Sequence, residues 1–243
     1  MNLIIDVGNS FVKLAVFHED KLKHKEVVDL DNIIEHIKFL KKEYASIKRA
    51  IISSVGKLKQ TEINKIKEYF DLLVLSDETS LPFKNSYKTP KTLGVDRIAL
   101  VCAAVQQFPN NDTLIIDAGT CITYDFVTSN NEYLGGAISL GLSMRYKSLN
   151  NLTANLPLLE LEIPKSIVGG STKESIHSGV VYGVLKEIDG VIETYKLKYL
   201  DLTVILTGGD TKILSNQLKS SIFANSNFLL EGLNYILQFN SNE

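Results

Sequence analysis

Leu3-Ile4-Ile5-Asp6-Val7-Gly8-Asn9-Ser10 has a second copy, Leu114-Ile115-Ile116-Asp117-Ala118-Gly119-Thr120-Cys121. Each copy is an apolar run ending in Asp, followed by a small residue, a Gly and a short polar residue. Each then returns to apolar sequence, Phe11 to Phe17 and Ile122 to Val127. Apolar runs broken by Gly and resumed read as two strands joined by a tight turn. The Asp falls at the end of the first strand, and Gly lets the turn's backbone approach a ligand closely. A single hairpin of this kind would be an ordinary one, with its Asp capping the turn. Two matching hairpins predict a duplicated fold. Their turn N–H groups and hydroxyls suit phosphate oxygens, and their carboxylates suit the accompanying cation.

Outward from the first hairpin, a third strand is expected near Lys23 to Val28. A helix follows over Asp31 to Tyr44, where Ile33, Ile34, Ile37, Phe39 and Leu40 recur largely at helical spacing. Arg49 to Val55 reads as a strand, Lys59 to Tyr69 as a helix and Asp71 to Leu75 as a strand. This alternation implies βαβ units with parallel pairing. Residues 76–93, with Pro82 and Pro90, read as a long loop, which in a compact domain is usually functional. Gly94-Val95-Asp96-Arg97 then opens an apolar helix running to Phe108. The second half repeats the plan with a strand over Tyr133 to Ser139, helices over Leu142 to Leu152 and Glu174 to Leu197, a strand over Thr203 to Thr207, and helices from Lys212 and over Leu229 to Phe239. Gly135-Gly136 marks the close approach of another backbone or a ligand. Gly179 and Gly183 permit close helix packing, within the chain or across a dimer. The fold class is α/β, divided into residues 1–112 and 113–243.

Composition narrows the function. The chain has 243 residues, 44% of them hydrophobic, and a net charge of −2, so no global field attracts nucleic acid or an anionic membrane. Cys102 and Cys121 form no metal-type spacing and no disulfide framework, which fits a reducing cytosol. No signal peptide or membrane-spanning stretch is evident, and a soluble cytoplasmic protein is expected. The P-loop, Gly-x-Gly-x-x-Gly, His-Glu-x-x-His and Gly-x-Ser-x-Gly patterns are all missing. His18, His24, His36 and His177 are scattered and are expected at the surface.

The remaining candidates are Asp6, Asp96 and Asp117, with turns at Gly8, Gly119 and Gly208-Gly209. Such a set suits phosphoryl transfer, where the protein mostly positions groups and neutralises charge. Lys13 is either a point charge for a phosphate or one more surface lysine. Asp96 is either a simple acid at a helix N-terminus, favoured there by the helix dipole, or a general base for a substrate hydroxyl, with Arg97 binding a substrate anion.

Asp6-x-Gly-Asn-Ser with Lys13, Gly94-x-Asp96-Arg97, Asp117-x-Gly-Thr120, Gly135-Gly136 and Thr153-Ala154-x-Leu156-Pro157 together resemble the type III pantothenate kinases. The match runs in the family's order from the N-terminus to Gly208-Gly209. The Asp-x-Gly turns alone mark the wider actin, sugar kinase and heat-shock ATPase superfamily. The Gly-x-Asp-Arg between two such turns, in a chain this short, points to the narrower family. The resemblance implies a duplicated ribonuclease H-like fold with two lobes around an ATP cleft. It implies ATP-dependent phosphorylation of pantothenate at its primary hydroxyl, the first step of coenzyme A synthesis, by a cytoplasmic homodimer. It places ATP at Asp6, Val7, Gly8, Asn9, Ser10, Phe11, Val12, Lys13 and Thr120. Mg²⁺ would lie with ATP at Asp6, and a monovalent cation, K⁺ or NH₄⁺, at Asp117. Pantothenate would meet Tyr87, Gly94, Val95, Asp96, Arg97 and Thr172, with Asp96 as proton acceptor. Ser10 stands where the family usually has Thr, and Ser139-Leu140-Gly141 replaces its usual Pro-Gly-Leu rhythm. The alternatives are a nucleotide-binding regulatory or accessory homologue, or another small-molecule kinase of the superfamily.

Overall fold

The computed structural model describes residues 1–8, 11–54 and 58–241. The chain divides into two compact units, residues 1–109 with 228–243, and residues 110–227.

In the first unit, β1 (Asn2–Val7), β2 (Val12–His18) and β3 (Lys21–Val28) form an antiparallel meander. β4 (Arg49–Ser54) and β5 (Asp71–Val74) add to the other edge of β1 in parallel, giving the order β3-β2-β1-β4-β5. Leu3, Ile4, Ile5 and Val7 are all buried, so β1 is covered on both faces, as its unbroken apolar run requires. Helix α1 (Ile33–Glu43) turns Ile33, Ile37 and Leu40 inward, while Phe39 is exposed. Helix α2 (Gln60–Lys67) joins β4 to β5. A two-residue strand β6 (Lys84–Asn85) and a short 3₁₀ turn at Pro90–Thr92 interrupt the loop before helix α3 (Val95–Gln107).

The second unit repeats the order. β7 (Thr113–Ala118), β8 (Cys121–Val127) and β9 (Glu132–Leu140) are antiparallel, and β10 (Thr203–Thr207) and β11 (Phe223–Ala224) follow in parallel beyond β7. The sequence β11-β10-β7-β8-β9 is thus the counterpart of β5-β4-β1-β2-β3. Gly136 sits against another backbone: a Cβ there would lie 1.6 Å from the Tyr124 carbonyl oxygen. Helices α4 (Leu142–Asn151) and α5 (Thr172–Lys196) separate β9 from β10, and the short α6 (Thr211–Ser215) separates β10 from β11.

The C-terminal helix α7 (Phe228–Phe239) belongs to the first unit, not to a lobe running over residues 113–243. It packs on α3 so tightly that a Cβ on Gly232 would fall 1.9 Å from the Ala99 carbonyl oxygen and 3.2 Å from the Ala103 methyl. Asn234, 2% exposed, accepts from Asn2 Nδ2 at 2.9 Å and donates to the Glu19 carbonyl at 2.9 Å. Small residues on α3 let the two helix backbones meet, and buried amides tie α7 to the first hairpin. The α5 glycines do not make a helix contact of this kind: a Cβ on Gly179 would meet nothing within 4 Å, and one on Gly183 would meet only the Arg145 guanidinium at 3.8 Å. Among the described residues, no helix is long and apolar enough to cross a membrane.

Candidate active site

In the first unit the β1–β2 register sets Lys13 directly across from Asp6, with Lys13 Nζ 3.5 Å from Asp6 Oδ2. Asp6 is 7% exposed. Burial raises its pKa, Lys13 pulls it back, and the nearby charge of Asp96 raises it again; the balance stays on the raised side. The carboxylate is therefore only partly compensated by its own lysine. Beyond it the chain turns back with the Gly8 N–H donating to the Phe11 carbonyl at 3.1 Å. Val7 and Val12 are buried and offer only backbone to a ligand, while the Phe11 ring is exposed. Asn9 and Ser10, expected at ATP, lie outside the described residues.

Asp96 occupies the first turn of α3, and its Oδ1 accepts the Arg97 backbone N–H at 2.8 Å. A Cβ on Gly94 would lie 2.3 Å from that same oxygen, so a side chain there would push the Asp96 carboxylate out of this position. Asp96 thus has the ordinary role of an acid at a helix start, and that role also points its carboxylate. Val95, half-buried, opens the helix. Arg97 is buried, with its guanidinium 5.6 Å from the centre of the Tyr87 ring, within cation–π range. The Tyr87 N–H donates to Asn85 Oδ1 at 3.0 Å, which shapes the preceding loop. Asp6, Lys13 and Asp96 are brought together, and Tyr87, Gly94, Val95 and Arg97 cluster around the start of α3.

In the second unit the turn closes with the Gly119 N–H on the Cys121 carbonyl at 2.9 Å. Two glycines pack behind it. Gly208 follows β10 with φ +97, and a Cβ there would lie 2.3 Å from the Ala118 carbonyl oxygen and 2.4 Å from Asp117 Oδ1. Gly141, the N-cap of α4, donates to the Thr120 carbonyl at 3.1 Å and has no room for a side chain against Gly119 and Thr120. The Ser139-Leu140-Gly141 segment therefore ends β9 directly against the turn. Asp117 is half-buried and Thr120 is exposed. The Asp210 N–H donates to the Ala118 carbonyl at 3.0 Å, and burial raises the pKa of the Asp210 carboxyl.

Two cavities lie within this unit. One, about 480 Å³, is lined by Leu142, Ser143, Tyr146, Lys147, Leu159 and Asp210, among others. The other, about 710 Å³ and mainly apolar, is lined by Arg145, Leu149, Thr172, Ile176 and Val180, among others. Thr172 is the first residue of α5, which Ser171 caps by accepting the Glu174 N–H at 3.3 Å. Arg145 pairs with Glu187, which also accepts the Tyr124 hydroxyl at 3.0 Å. Sequence reasoning missed Arg145, Glu187 and Asp210. It also put His177 at the surface, whereas it is 3% exposed: α5 turns that face inward together with Ile176 and Val180.

Among the described residues, no three His, Cys, Asp or Glu side chains gather as a metal site. Asp6 is still a fitting partner for Mg²⁺ carried by a nucleotide. That ion keeps several waters and needs only one or two carboxylates besides the phosphates, and Asp6 has charge left to satisfy.

Known proteins align along the whole chain. The family model described as type III pantothenate kinase matches residues 2–194. The type III pantothenate kinase of Christiangramia forsetii is 53% identical over 243 residues, covering 100% of both chains. That of Flavobacterium johnsoniae is 44% identical over 239 residues, covering 98% of each. Among solved structures, a ROK family glucokinase from Streptomyces griseus superposes with a TM-score of 0.54 at 10% identity, over 100% of this chain and 99% of that one. A Campylobacter jejuni protein assigned to the Baf family of transcriptional activators gives 0.66 at 22% identity, over 99% and 100%. At these identities the structures speak for the fold alone. That fold is the duplicated ribonuclease H-like one of the sugar kinases, and, by its relatives and the matched family model, the chain belongs to the type III pantothenate kinase family.

Proposed function

We propose that this chain phosphorylates pantothenate on its primary hydroxyl at the expense of ATP, giving 4′-phosphopantothenate and ADP at the entry to coenzyme A synthesis. Family membership supports the overall reaction. The observation that carries the residue assignment is Asp96, held by its own helix's N–H beside Asp6, with Arg97 and Tyr87 adjoining it. Asp96 accepts the hydroxyl proton as the substrate oxygen bonds to the γ-phosphorus and the bond to the β–γ bridging oxygen breaks. Arg97, positioned against Tyr87, meets the pantothenate carboxylate, and Gly94, Val95 and Thr172 complete the contacts.

The first turn, residues 6–13, holds the ATP phosphates through backbone N–H groups and Lys13, and Asp6 takes the Mg²⁺ that neutralises charge on the phosphates. Thr120 contacts ATP as well. Asp117, flanked by the backbone of Gly208, takes the monovalent cation, K⁺ or NH₄⁺. The 480 Å³ pocket adjoins this turn through Asp210 and takes the nucleoside end of ATP. The apolar cavity along α4 and α5, with Leu152, Ile167 and Val168 exposed in the same unit, supports a homodimer. The reaction belongs in the cytoplasm.

The test is a coupled ADP-release assay with pantothenate and ATP, with and without K⁺. Pantothenate-dependent ADP release that rises with K⁺ is expected. ATP turnover with other hydroxyl substrates but not with pantothenate would overturn the substrate assignment.

A further inference from the structure

The reaction leaves unused a polar cluster that is buried at Tyr146 and His177 and reaches the surface at Glu162. Tyr146, on α4, is 3% exposed, and its ring lines the 480 Å³ pocket together with Asp210. Its hydroxyl lies 2.8 Å from His177 Nδ1, and the two rings meet edge to face with centroids 5.6 Å apart. With the Tyr146 O–H donating to Nδ1, the imidazole proton sits on Nε2. That nitrogen is buried, makes no hydrogen bond, and faces Glu162 Oε2 at 3.7 Å. Glu162 is held in turn by Lys173 Nζ at 2.7 Å. The contacts run in a chain, from Tyr146 to His177, from His177 to the Glu162 side chain, and from there to Lys173.

The members of this chain of contacts come from three segments. Tyr146 is on α4, and His177 and Lys173 are on the first turns of α5. Glu162 lies midway along a strap of irregular chain, residues 152–171, whose Leu158, Leu159, Glu160 and Leu161 form one wall of the same pocket. Leu159 and Leu161 also pack on the core of the unit. On either side of them the strap is bonded through the Leu156 carbonyl to Asn150 Nδ2 at 2.7 Å and through the Pro164 carbonyl to the Tyr182 hydroxyl at 3.4 Å, and between these points apolar contact holds it down. It does not fix the strap along its length, because leucine contacts are not directional. The hydrogen bond from the Tyr146 hydroxyl to His177, which in turn faces Glu162, is directional.

We propose that Tyr146, His177 and Glu162 form a latch that holds the strap in register over the nucleotide pocket, and that His177 is a positioning residue for nucleotide binding. The proposal rests on placing the nucleoside of ATP in this pocket. Neither His177 nor Glu162 touches the reacting atoms, so the latch acts on nucleotide affinity and not on the chemical step.

The test compares His177→Phe, His177→Asn, Tyr146→Phe and the His177→Phe/Tyr146→Phe double variant. Calorimetric MgADP binding and steady-state kinetics are measured on each. Loss of one neutral hydrogen bond is expected to raise the ATP KM and the ADP Kd about three- to tenfold. For His177→Phe, kcat stays within about twofold. His177→Asn, whose side-chain oxygen takes the place of Nδ1, recovers most of the affinity. The double variant is no worse than the worse single variant, because both remove the shared Tyr146–His177 contact. Tyr146→Phe deletes one oxygen and keeps the test available if His177→Phe does not fold. Unchanged nucleotide affinity, or additive losses in the double variant, would overturn the latch. ADP binding needs no pantothenate, so protein that binds ADP yet leaves pantothenate unphosphorylated would refute the kinase reading while still testing the latch.

Discussion

The two Asp-x-Gly turns start from nearly the same eight residues and become different devices. In the first, four residues, 8–11, separate the last ladder pairs, because Val7 pairs with Val12. In the second, three residues, 119–121, suffice, because Ala118 pairs with Ile122. One extra residue changes what faces the Asp across the ladder: Lys13 faces Asp6, and Thr123 faces Asp117. Thr123 turns its hydroxyl to Asp125 instead, at 3.1 Å. The second Asp is flanked by backbone, with Gly208 and Ala118 close by. The first turn thus has a cation beside its acid, which suits phosphates. The second is a tight loop whose acid neighbours carbonyls, and carboxylate and carbonyl oxygens suit a bound cation.

The largest effect is expected from the acid that joins the first turn. Asp96→Asn should lower kcat by about 10²–10⁴-fold, the usual contribution of a general base, with MgADP binding unchanged by calorimetry. Near-normal turnover would remove Asp96 from the reaction.

Asp6→Asn comes next, with a loss of about 10²–10³-fold in kcat/KM, as for removal of one preorganised charge partner. It should also stabilise the protein at neutral pH. Folding raises the pKa of Asp6, so the folded form binds that proton more tightly than the unfolded form. The stability this contributes is present at low pH and is lost as pH rises through the folded-state value, where the buried carboxylate ionises. The variant should lose that pH dependence, and its Tm at pH 7 should rise by about 2–4 °C per kcal/mol recovered. A lower Tm at pH 7 would mean that Lys13 compensates Asp6 fully.

Lys13→Ala should raise the ATP KM about tenfold, the worth of one charge-assisted contact to phosphate, and leave the K⁺ response unaltered. The smallest effect belongs to the second turn. Asp117→Ala should shift the K⁺ titration severalfold upward, with the ATP KM at saturating K⁺ changed less than in Lys13→Ala. If the variants exchanged phenotypes, with Lys13 setting K⁺ demand and Asp117 setting ATP affinity, the division of labour between the turns would be wrong.

The repeated octapeptides made the duplicated sheet legible, because three apolar residues before Asp-x-Gly, repeated, read as a buried strand entering a turn. Helices α1 and α3 were legible from spacing and from Gly94-x-Asp96-Arg97. The length of each turn was not. Aligning the repeats residue by residue matches Asp6 with Asp117, but the ladder register beyond them depends on which turn hydrogen bond closes. Asp210 and Tyr146 lie 64 positions apart in the sequence and share a pocket only after β10 has come to lie beside β7. His177 is a lone histidine on a long helix, and whether it is wet or buried depends on which face α4 covers. The placement of α7 left a faint trace in Ala99, Ala103 and Gly232, small residues that a helix pair needs when its backbones touch.

That last contact has a consequence for how the protein is made. The sheet of the first unit is complete once Val74 has left the ribosome, yet α3 keeps its Ala99 face bare until Gly232 arrives. A nascent chain must therefore carry an unfinished N-terminal core through synthesis of the entire second unit. Premature release anywhere before residue 228 leaves that apolar face open to chaperones and proteases.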